Sequence, residues 1–600
     1  MMGELKVFTQ FFGIYQMRIA HISILEFRGI KSLEWSPSPN VNCLIGPGDS
    51  CKTTVLDAIE IGLNPRFGFS GSDPDLFGCD PASKPEICLT LVQLPEELIV
   101  EHRYGLFLRG WSDADRKIND ERAEGDILAL TVKASLDPDT LEWRWEIFNE
   151  RLEGEPPRFG FKDAKLTAPN RLGEYADRHL TWGRSSALGR LEKGPNASEL
   201  LATSVRQAKT SFAAGDRTSF DDVVKLTEKV GADFMVPKSA SYEAQLDIHS
   251  GMLASGAVSL HDGGLPLRTL GSGSSRLMVA GLQNSGPTEN IMLVDELEFG
   301  LEPHRILRLL RYLRSGFPQD GDAPPIVHQT FLTTHSPVVV CELDVAELFC
   351  VRKNAGSIAV KCARPEEGKE DTAQRHIRSS PHAFLAPRLL IGEGRTEVGF
   401  WRGLDDLWCN EGKESFAYQG AVAIDGGGND NAVKLGLHMQ NLGYRCFVLL
   451  DSDVEVSAGT KHALKEIGAQ VSEWLDNCDI ERRVFLDVPW ATVTAIVNYA
   501  IEVVGEGKVL NNLHLAAPEG PGIDRAALNA LVDTEDNRKR LATAATLKVE
   551  KKPGIKEDRS WFKDMTRGEQ LGTIVFGCLK DIPETPLAKT INEVRQWIDA

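Results

Sequence analysis

The spacing of apolar positions divides this chain into stretches of different period. From about residue 17 to 150 the pattern is of β type. MRIAHISILEFRGIKSLEW, which Met17 opens, carries Ile22, Ile24 and Phe27, and β-rich runs recur at ICLTLVQL (87–94) and ILALTVKASL (127–136). This predicts strands with one helix, VLDAIEIGL, among them. Polar, turn-rich sequence surrounds Pro156–Pro157, and from about 165 to 250 the pattern becomes helical, as in SELLATSVRQAKTSFAAG. A Gly-rich segment, HDGGLPLRTLGSGSSR, opens a second α/β stretch that runs to about 362. The charged segment 363–380, ARPEEGKEDTAQRHIRSS, lacks periodicity and reads as a linker. From 388 strands and helices alternate again, which predicts a second parallel-sheet domain. The first 16 residues do not look like part of a domain, and Met17 is read as the natural start.

Composition adds bounds to this picture. A chain of 600 residues with 42% hydrophobic and 26% charged positions is globular rather than disordered or collagen-like. No apolar run is long enough to span a membrane and no secretory leader is evident, so a cytoplasmic protein is expected. Eleven cysteines, an odd number without zinc or redox spacing, fit reduced thiols. The net charge of -19 argues against a wholly basic, nucleic-acid-coating surface but does not exclude a local basic groove.

The first chemical signal is Gly46-Pro47-Gly48-Asp49-Ser50-Cys51-Lys52-Thr53-Thr54, between the apolar run VNCLI and a helical one. Strand, glycine-rich loop and helix N-terminus together turn backbone N–H groups toward a phosphate. Lys52 is expected to meet the β- and γ-phosphates and Thr53 to help hold Mg²⁺. Cys51 stands where the pattern expects glycine, a departure that puts tight binding in question. Ile291-Met292-Leu293-Val294 reads as a strand ending in Asp295-Glu296, acids suited to Mg²⁺ and to orienting an attacking water. Upstream, Leu270-Gly271-Ser272-Gly273-Ser274-Ser275-Arg276 leads into a helix, where Ser272 and Gly273 can offer donors to a γ-phosphate. Downstream, Phe331-Leu332-Thr333-Thr334 ends at His335. Taken singly, each also fits a turn, a flexible loop or a capped strand; their order is what informs.

These four segments resemble an ATP-binding-cassette (ABC) ATPase: P-loop, signature segment, Walker B acids and switch histidine. The resemblance implies nucleotide held between two heads, hence a homodimer through the ATPase part. FRGIKSLEW, EFGLEPHR and TTHSP are similar to the OLD/RecF/SMC branch. No transporter membrane domain and no sustained heptads accompany them.

A second constellation follows. Leu389-Leu390-Ile391-Gly392-Glu393-Gly394-Arg395-Thr396-Glu397 reads as strand, turn and helix, with Glu393 at the strand end and Glu397 one helical turn on. The strand AVAID precedes Gly426-Gly427-Gly428, and CFVLL ends in Asp451-Ser452-Asp453. Carboxylates without Cys or His favour Mg²⁺ or Mn²⁺, and two such ions suit phosphodiester cleavage. The plainer reading is a solvated acidic rim. This pattern resembles a Toprim domain, whose invariant glutamate matches Glu393 and whose DxD pair matches Asp451 and Asp453. Glu397 matches a further glutamate of the nuclease branch, and Asp487 is a weaker candidate metal ligand.

ABC head plus Toprim domain is the arrangement of OLD-family nucleases. The resemblance implies an α/β chain with ATPase parts at 17–164 and 251–362, a helical dimerisation insert at 165–250, a linker at 363–387, a Toprim core at 388–500 and a helical region at 501–600 completing the site. By that likeness Lys563, in RSWFKDMTRGE, is the catalytic lysine. Around it, from Arg538 to Arg567, ten Lys/Arg and four Asp/Glu give a local +6, suited to DNA phosphates. Trp561 and Phe562 fit base stacking less well than they fit core.

The expected function is an ATP-binding DNA endonuclease in phage defence or DNA processing, using two Mg²⁺ or Mn²⁺ per nuclease site and ATP with Mg²⁺. The resemblance also implies DNA and a UvrD-like helicase as partners, and no membrane. Expected catalytic residues are Glu393, Asp451, Asp453, Lys563 and Glu296; expected nucleotide contacts are Gly46, Gly48, Ser50, Cys51, Lys52, Thr53, Thr54, Ser272, Gly273, Asp295 and His335. The alternative is a RecF/SMC-like ATP-gated DNA clamp without cleavage. A topoisomerase or primase fits less well, because no tyrosine-bearing cleavage domain or zinc module is evident.

Overall fold

A computed structural model describes residues 17–65, 70–151, 155–173, 181–183, scattered positions between 203 and 221, 255–259, 261–262, 265–266, 269–283, 291–315, 327–365, 370–453, 456–519, 522–552 and 555–600. Most of the expected helical insert at 165–250 lies outside them.

Thirteen strands among the described residues form one sheet. Its antiparallel half runs Lys117–Asn119, Arg109–Ser112, Ile127–Leu136, Glu86–Val92, Arg18–Phe27 and Ile30–Trp35, with Trp143–Phe148 also on Ile127–Leu136. Ser357–Cys362 and Leu348–Asn354 follow, and then the parallel strands Val41–Ile45, Gln329–Thr333, Ile291–Val294 and Asn170–Leu172. Val41–Ile45 is buried at all five positions, as a strand covered on both faces must be. Helix Lys52–Leu63 buries Val55, Leu56, Ile59 and Leu63 beneath the antiparallel half. Asn170–Leu172, which falls inside the range expected to be a helical insert, is an edge strand of this sheet. Three residues carry too short a period to read as a strand.

The segment expected as linker also differs. Glu370–Ser379 is a helix with Ala373 and Ile377 buried in the core, and Pro381–Leu385 is a 3₁₀ turn burying Phe384. Two apolar positions four apart suffice to seat a helix, and the surrounding charges hid them.

From 388 a four-stranded parallel sheet forms in the order Ala421–Asp425, Arg388–Gly392, Arg445–Leu450, Gln470–Glu473. One apolar core continues from the thirteen-stranded sheet into it, through Leu348, Cys350, Phe384, Leu389, Tyr444 and Val448. The sheet's other face packs on helices Arg395–Asn410, Ile480–Asp487, Trp490–Val504, Met565–Phe576 and Pro586–Asp599. The C-terminal region is helical with one hairpin, Lys548–Lys552 with Ile555–Asp558. Among the described residues no helix is long and apolar enough to cross a membrane. All eleven cysteines are unpaired.

Candidate nucleotide and carboxylate sites

In both sheets the predicted residues collect where parallel strands end, the edge at which α/β sheets bind ligands. Val41–Ile45 delivers the glycine loop, Ile291–Val294 delivers Asp295 and Glu296, and Gln329–Thr333 delivers Thr334 and His335.

The loop is closed on its own lysine. Lys52 Nζ donates to Gly46 O at 3.1 Å, Pro47 O at 2.9 Å and Ser50 Oγ at 3.3 Å. Burial lowers the lysine's proton affinity, Asp49 offsets part of this and nearby Arg352 adds to it. Cys51 has φ 68° and ψ 23°, the left-handed conformation that the expected glycine would adopt. The loop therefore keeps its path, and the cysteine carries strain of about 1–2 kcal/mol. Thr53 Oγ1 donates to Asp295 Oδ1 at 3.1 Å, which also accepts Thr333 Oγ1 at 2.7 Å. The predicted P-loop threonine and Walker B aspartate thus meet. We expect Lys52→Ala to abolish ATP binding in calorimetry and Cys51→Gly to retain it, with a gain in stability of up to about 1 kcal/mol read as a higher thermal midpoint. Weaker binding in Cys51→Gly would show that the thiol itself is required.

Sequence reasoning missed two arginines around Asp295. Arg171, from the edge strand, bonds Asp295 at 3.1 Å and Glu60 at 3.1 Å and also pairs with Asp57. Arg276, buried in helix Ser272–Gln283, donates to Asp295 O at 2.5 Å, Glu296 O at 2.9 Å and Gly173 O at 3.0 Å. Burial draws its proton affinity down to about 10, with Asp295, Glu298 and Glu296 opposing. Helix Ser272–Gln283 is therefore tied to the Asp295–Glu296 turn by an arginine that reads, in sequence, as only the end of a Gly/Ser run. Ser272 is exposed, while Gly273 packs so closely on Gly300 that an added Cβ would lie 2.4 Å from Gly300 O. Glu298 accepts Thr334 Oγ1 and His335 N, both at 2.6 Å, and so holds the end of strand Gln329–Thr333 in place. His335 and Glu296 are exposed.

The second site is more enclosed. Glu393, Asp451 and Asp453 bring ligand oxygens within 4.8 Å of one another. Backbone contacts set this up: Gly426 N donates to Gly392 O at 2.9 Å and Gly428 N to Glu393 O at 2.8 Å. Asn429, buried, clamps Asp451 by accepting its N–H at 3.0 Å and donating to its carbonyl at 2.8 Å. Nothing in the sequence pattern marked Asn429. Glu393 Oε2 and Asp451 Oδ1 are buried with no hydrogen-bond partner among the described residues. Burial raises the Asp451 carboxyl well above the usual range, with Glu397 and Glu393 adding to it. Unpartnered, repelling oxygens of this kind fit a divalent cation.

Glu397 is buried, raised by burial and then by Glu481, and accepts Gly394 N at 3.0 Å. Glu481 was also missed. It is buried two residues past the helix cap Asp479, and burial, then Asp479, lift its carboxyl to about 7. Its signal, Asp479-Ile480-Glu481, lies in a helix start rather than at a strand end. Lys563 faces the same group: burial lowers its proton affinity, and Glu481, Glu397 and Glu393 more than reverse this. Asp487, the weaker candidate, does not join them. It ends a helix rather than following a strand, and its oxygens are taken by Arg483 at 2.5 Å and Leu587 N at 2.8 Å. Trp561 and Phe562 are fully buried core.

The family model described as "AAA domain, putative AbiEii toxin, Type IV TA system" matches residues 41–341, half of the chain. The chain belongs to this family and carries its P-loop ATPase domain. Among solved structures, an SMC head bound to the C-winged helix domain of ScpA is 13% identical, covering 57% of this chain and 97% of that one, with TM-score 0.29. The SMC head domain from Thermotoga maritima is 17% identical over 57% and 98%, with TM-score 0.27. The recombination mediator protein RecF with ATP is 12% identical over 58% and 98%, with TM-score 0.30. No curated relative matches the chain.

Proposed function

We propose that this protein is an ATP-binding, divalent-metal-dependent DNA endonuclease of the OLD type, with a Toprim nuclease domain governed by its ATPase domain. The observation that carries the reading is the convergence of Glu393, Asp451 and Asp453 with buried, unpartnered oxygens. Glu393, Asp451 and Asp453 would hold one cation, and Glu397 and Glu481 are the carboxylates available to a second. Bound there, divalent cations supply an activated water and charge stabilisation at the leaving oxygen. Lys563 contributes its ammonium to the negative charge that grows on the phosphate. The basic stretch Arg538–Arg567 holds the DNA backbone beside it. In the ATPase domain the loop N–H groups and Lys52 bind the phosphates, Thr53 and Asp295 hold Mg²⁺, and Glu296 and His335 orient water. Ser272 and Gly273 serve the nucleotide of a second copy, in a homodimer. Phage defence or DNA processing, beside a UvrD-like helicase, is the setting that this reading favours.

A supercoiled plasmid incubated with Mn²⁺ or Mg²⁺, with and without ATP, should be nicked by wild type and not by Asp451→Ala or Glu393→Ala. Unchanged nicking in those variants overturns the assignment. DNA binding without nicking in the wild type turns the reading to an ATP-gated clamp.

A further inference from the structure

The strand that ends at the carboxylate cluster begins against the ATPase domain. Arg445–Leu450 runs directly into Asp451 and is preceded by Gly443 and Tyr444. Both are gripped by Arg352, near the end of strand Leu348–Asn354 in the ATPase sheet. Arg352 Nε donates to Gly443 O at 3.0 Å, and its guanidinium lies 4.0 Å from the centre of the Tyr444 ring. Gly443 is at φ +86°, and an added Cβ would stand 2.9 Å from Arg352 Cγ, so the arginine lies flat across it. Tyr444 is buried and anchored, its hydroxyl donating to Phe384 O at 2.6 Å.

The strand that carries Arg352 runs beside the nucleotide loop, and Arg352 Nη1 donates to Val351 O at 3.2 Å. Leu348–Asn354 pairs with Val41–Ile45, so Val351 and Arg352 flank the start of the glycine loop. Val351 O is close enough to Gly46 that an added Cβ there would lie 2.5 Å from it. Gly46 O and Pro47 O are the carbonyls that hold Lys52 in the closed loop. The three N–H donors of Lys52 are taken by Gly46 O, Pro47 O and Ser50 Oγ, so a phosphate oxygen must displace or share at least one of them. A bound phosphate therefore loosens the loop's hold on its lysine, and Gly46 packs directly against Val351 O, where a shift of the loop would be felt. Arg352 Nη2 is buried with no acceptor among the described residues, so the guanidinium has a donor left over to follow such a shift.

We propose that Arg352 is a positioning residue that couples the state of the nucleotide loop to the carboxylate cluster, through Gly443, Tyr444 and the strand Arg445–Leu450. The inference builds on the proposed nuclease reading by naming the route through which nucleotide would regulate that site. Two sites biasing one shared element is the physical content of coupling.

Hydrogen exchange of the full chain, read by mass spectrometry over 443–453 with and without Mg·ATP, tests it. In wild type ATP should alter exchange of these amides by about threefold or more, a modest coupling. In Arg352→Ala the nucleotide-dependent change should vanish while ATP affinity by calorimetry stays within about threefold. Arg352→Lys keeps the charge but not the planar fork, and should recover less than half of the change. A merely structural arginine would alter exchange equally with and without ATP. Should Arg352→Ala fail to fold, Tyr444→Leu removes the other half of the contact and should lose the response likewise. An undiminished response in these variants, no response in wild type, or loss of ATP binding in Arg352→Ala overturns the inference. Cleavage is not the readout: coupled exchange without nicking overturns only the nuclease reading, and nicking without coupled exchange overturns only this one.

Discussion

Gly403→Val is expected to destabilise the C-terminal half of the molecule severely and to weaken any metal-dependent nicking with it. Helices Arg395–Asn410 and Met565–Phe576 meet at four glycines, two from each. An added Cβ would lie 2.0 Å from Met565 O at Gly399, 2.1 Å from Glu569 O at Gly403, 2.3 Å from Thr396 O at Gly568 and 2.3 Å from Phe400 O at Gly572. Carbon and carbonyl oxygen touch at roughly 3.3 Å at closest, so each substitution forces the backbones apart by about 1 Å. No rotamer relieves a clash with main chain. Separation would open the layer of Phe400, Trp401, Leu404 and Leu571, all fully buried. A penalty of about 3–5 kcal/mol is the scale for such a core, a large share of the roughly 5–15 kcal/mol that a domain has. The contact also places chemistry. Thr396 Oγ1, next to Glu397, donates to Phe562 O at 3.2 Å, and Lys563 follows. Gly507→Ala, in helix Glu506–Ala516 with open space at its Cβ, is the control and should be neutral or slightly stabilising. Urea unfolding followed by tryptophan fluorescence decides it, and an unchanged midpoint in Gly403→Val would refute the packing argument.

The sequence was most legible where strand ends carry chemistry. Apolar runs ending in Gly46, Asp295, Glu393 and Asp451 predicted both parallel edges, because a buried strand and a charged terminus leave a sharp boundary. Residues acting from inside helices left no such boundary. Glu481 sits in a helix start crowded with other charges, Asn429 looks like one more polar residue after a glycine turn, and Arg276 looks like the end of a flexible loop. The glycines of the close helix pair gave no signal either, since Gly399 and Gly403 read as poor helix formers until their partner helix is known. The aperiodic segment after 363 concealed a helix because Ala373 and Ile377 are its only buried apolar side chains among the described ones. Asp487 reads in VFLDVPW as an acid following a strand, but the segment is the end of a helix and Arg483 holds its carboxylate.

Asp451→Asn is expected to raise the melting midpoint in EDTA and to abolish the stabilisation that Mn²⁺ gives the wild type, so that the two proteins exchange rank between the two buffers. Asp451 is buried, and burial followed by Glu397, Glu393 and Glu481 raises its carboxyl far above the unfolded value of about 3.9. The sign follows from that shift. Above the unfolded value the folded chain holds a proton that the unfolded chain has released, so stability falls as pH rises toward the folded value. At neutral pH without metal the carboxyl is therefore a burden. Asparagine has nearly the same shape and cannot ionise, and the clamp from Asn429 engages only the main chain of residue 451. Relief of about 1–3 kcal/mol is the scale for one poorly satisfied buried group. In Mn²⁺ the wild type gains by mass action, about 2.7 kcal/mol at a hundred times Kd, while the variant lacks a ligand and gains little. An acidic rim without a cation site predicts the first effect in weaker form and no exchange of rank. Differential scanning fluorimetry of both proteins in EDTA and in Mn²⁺ distinguishes the two, and parallel shifts in both buffers would remove Asp451 from the cation site.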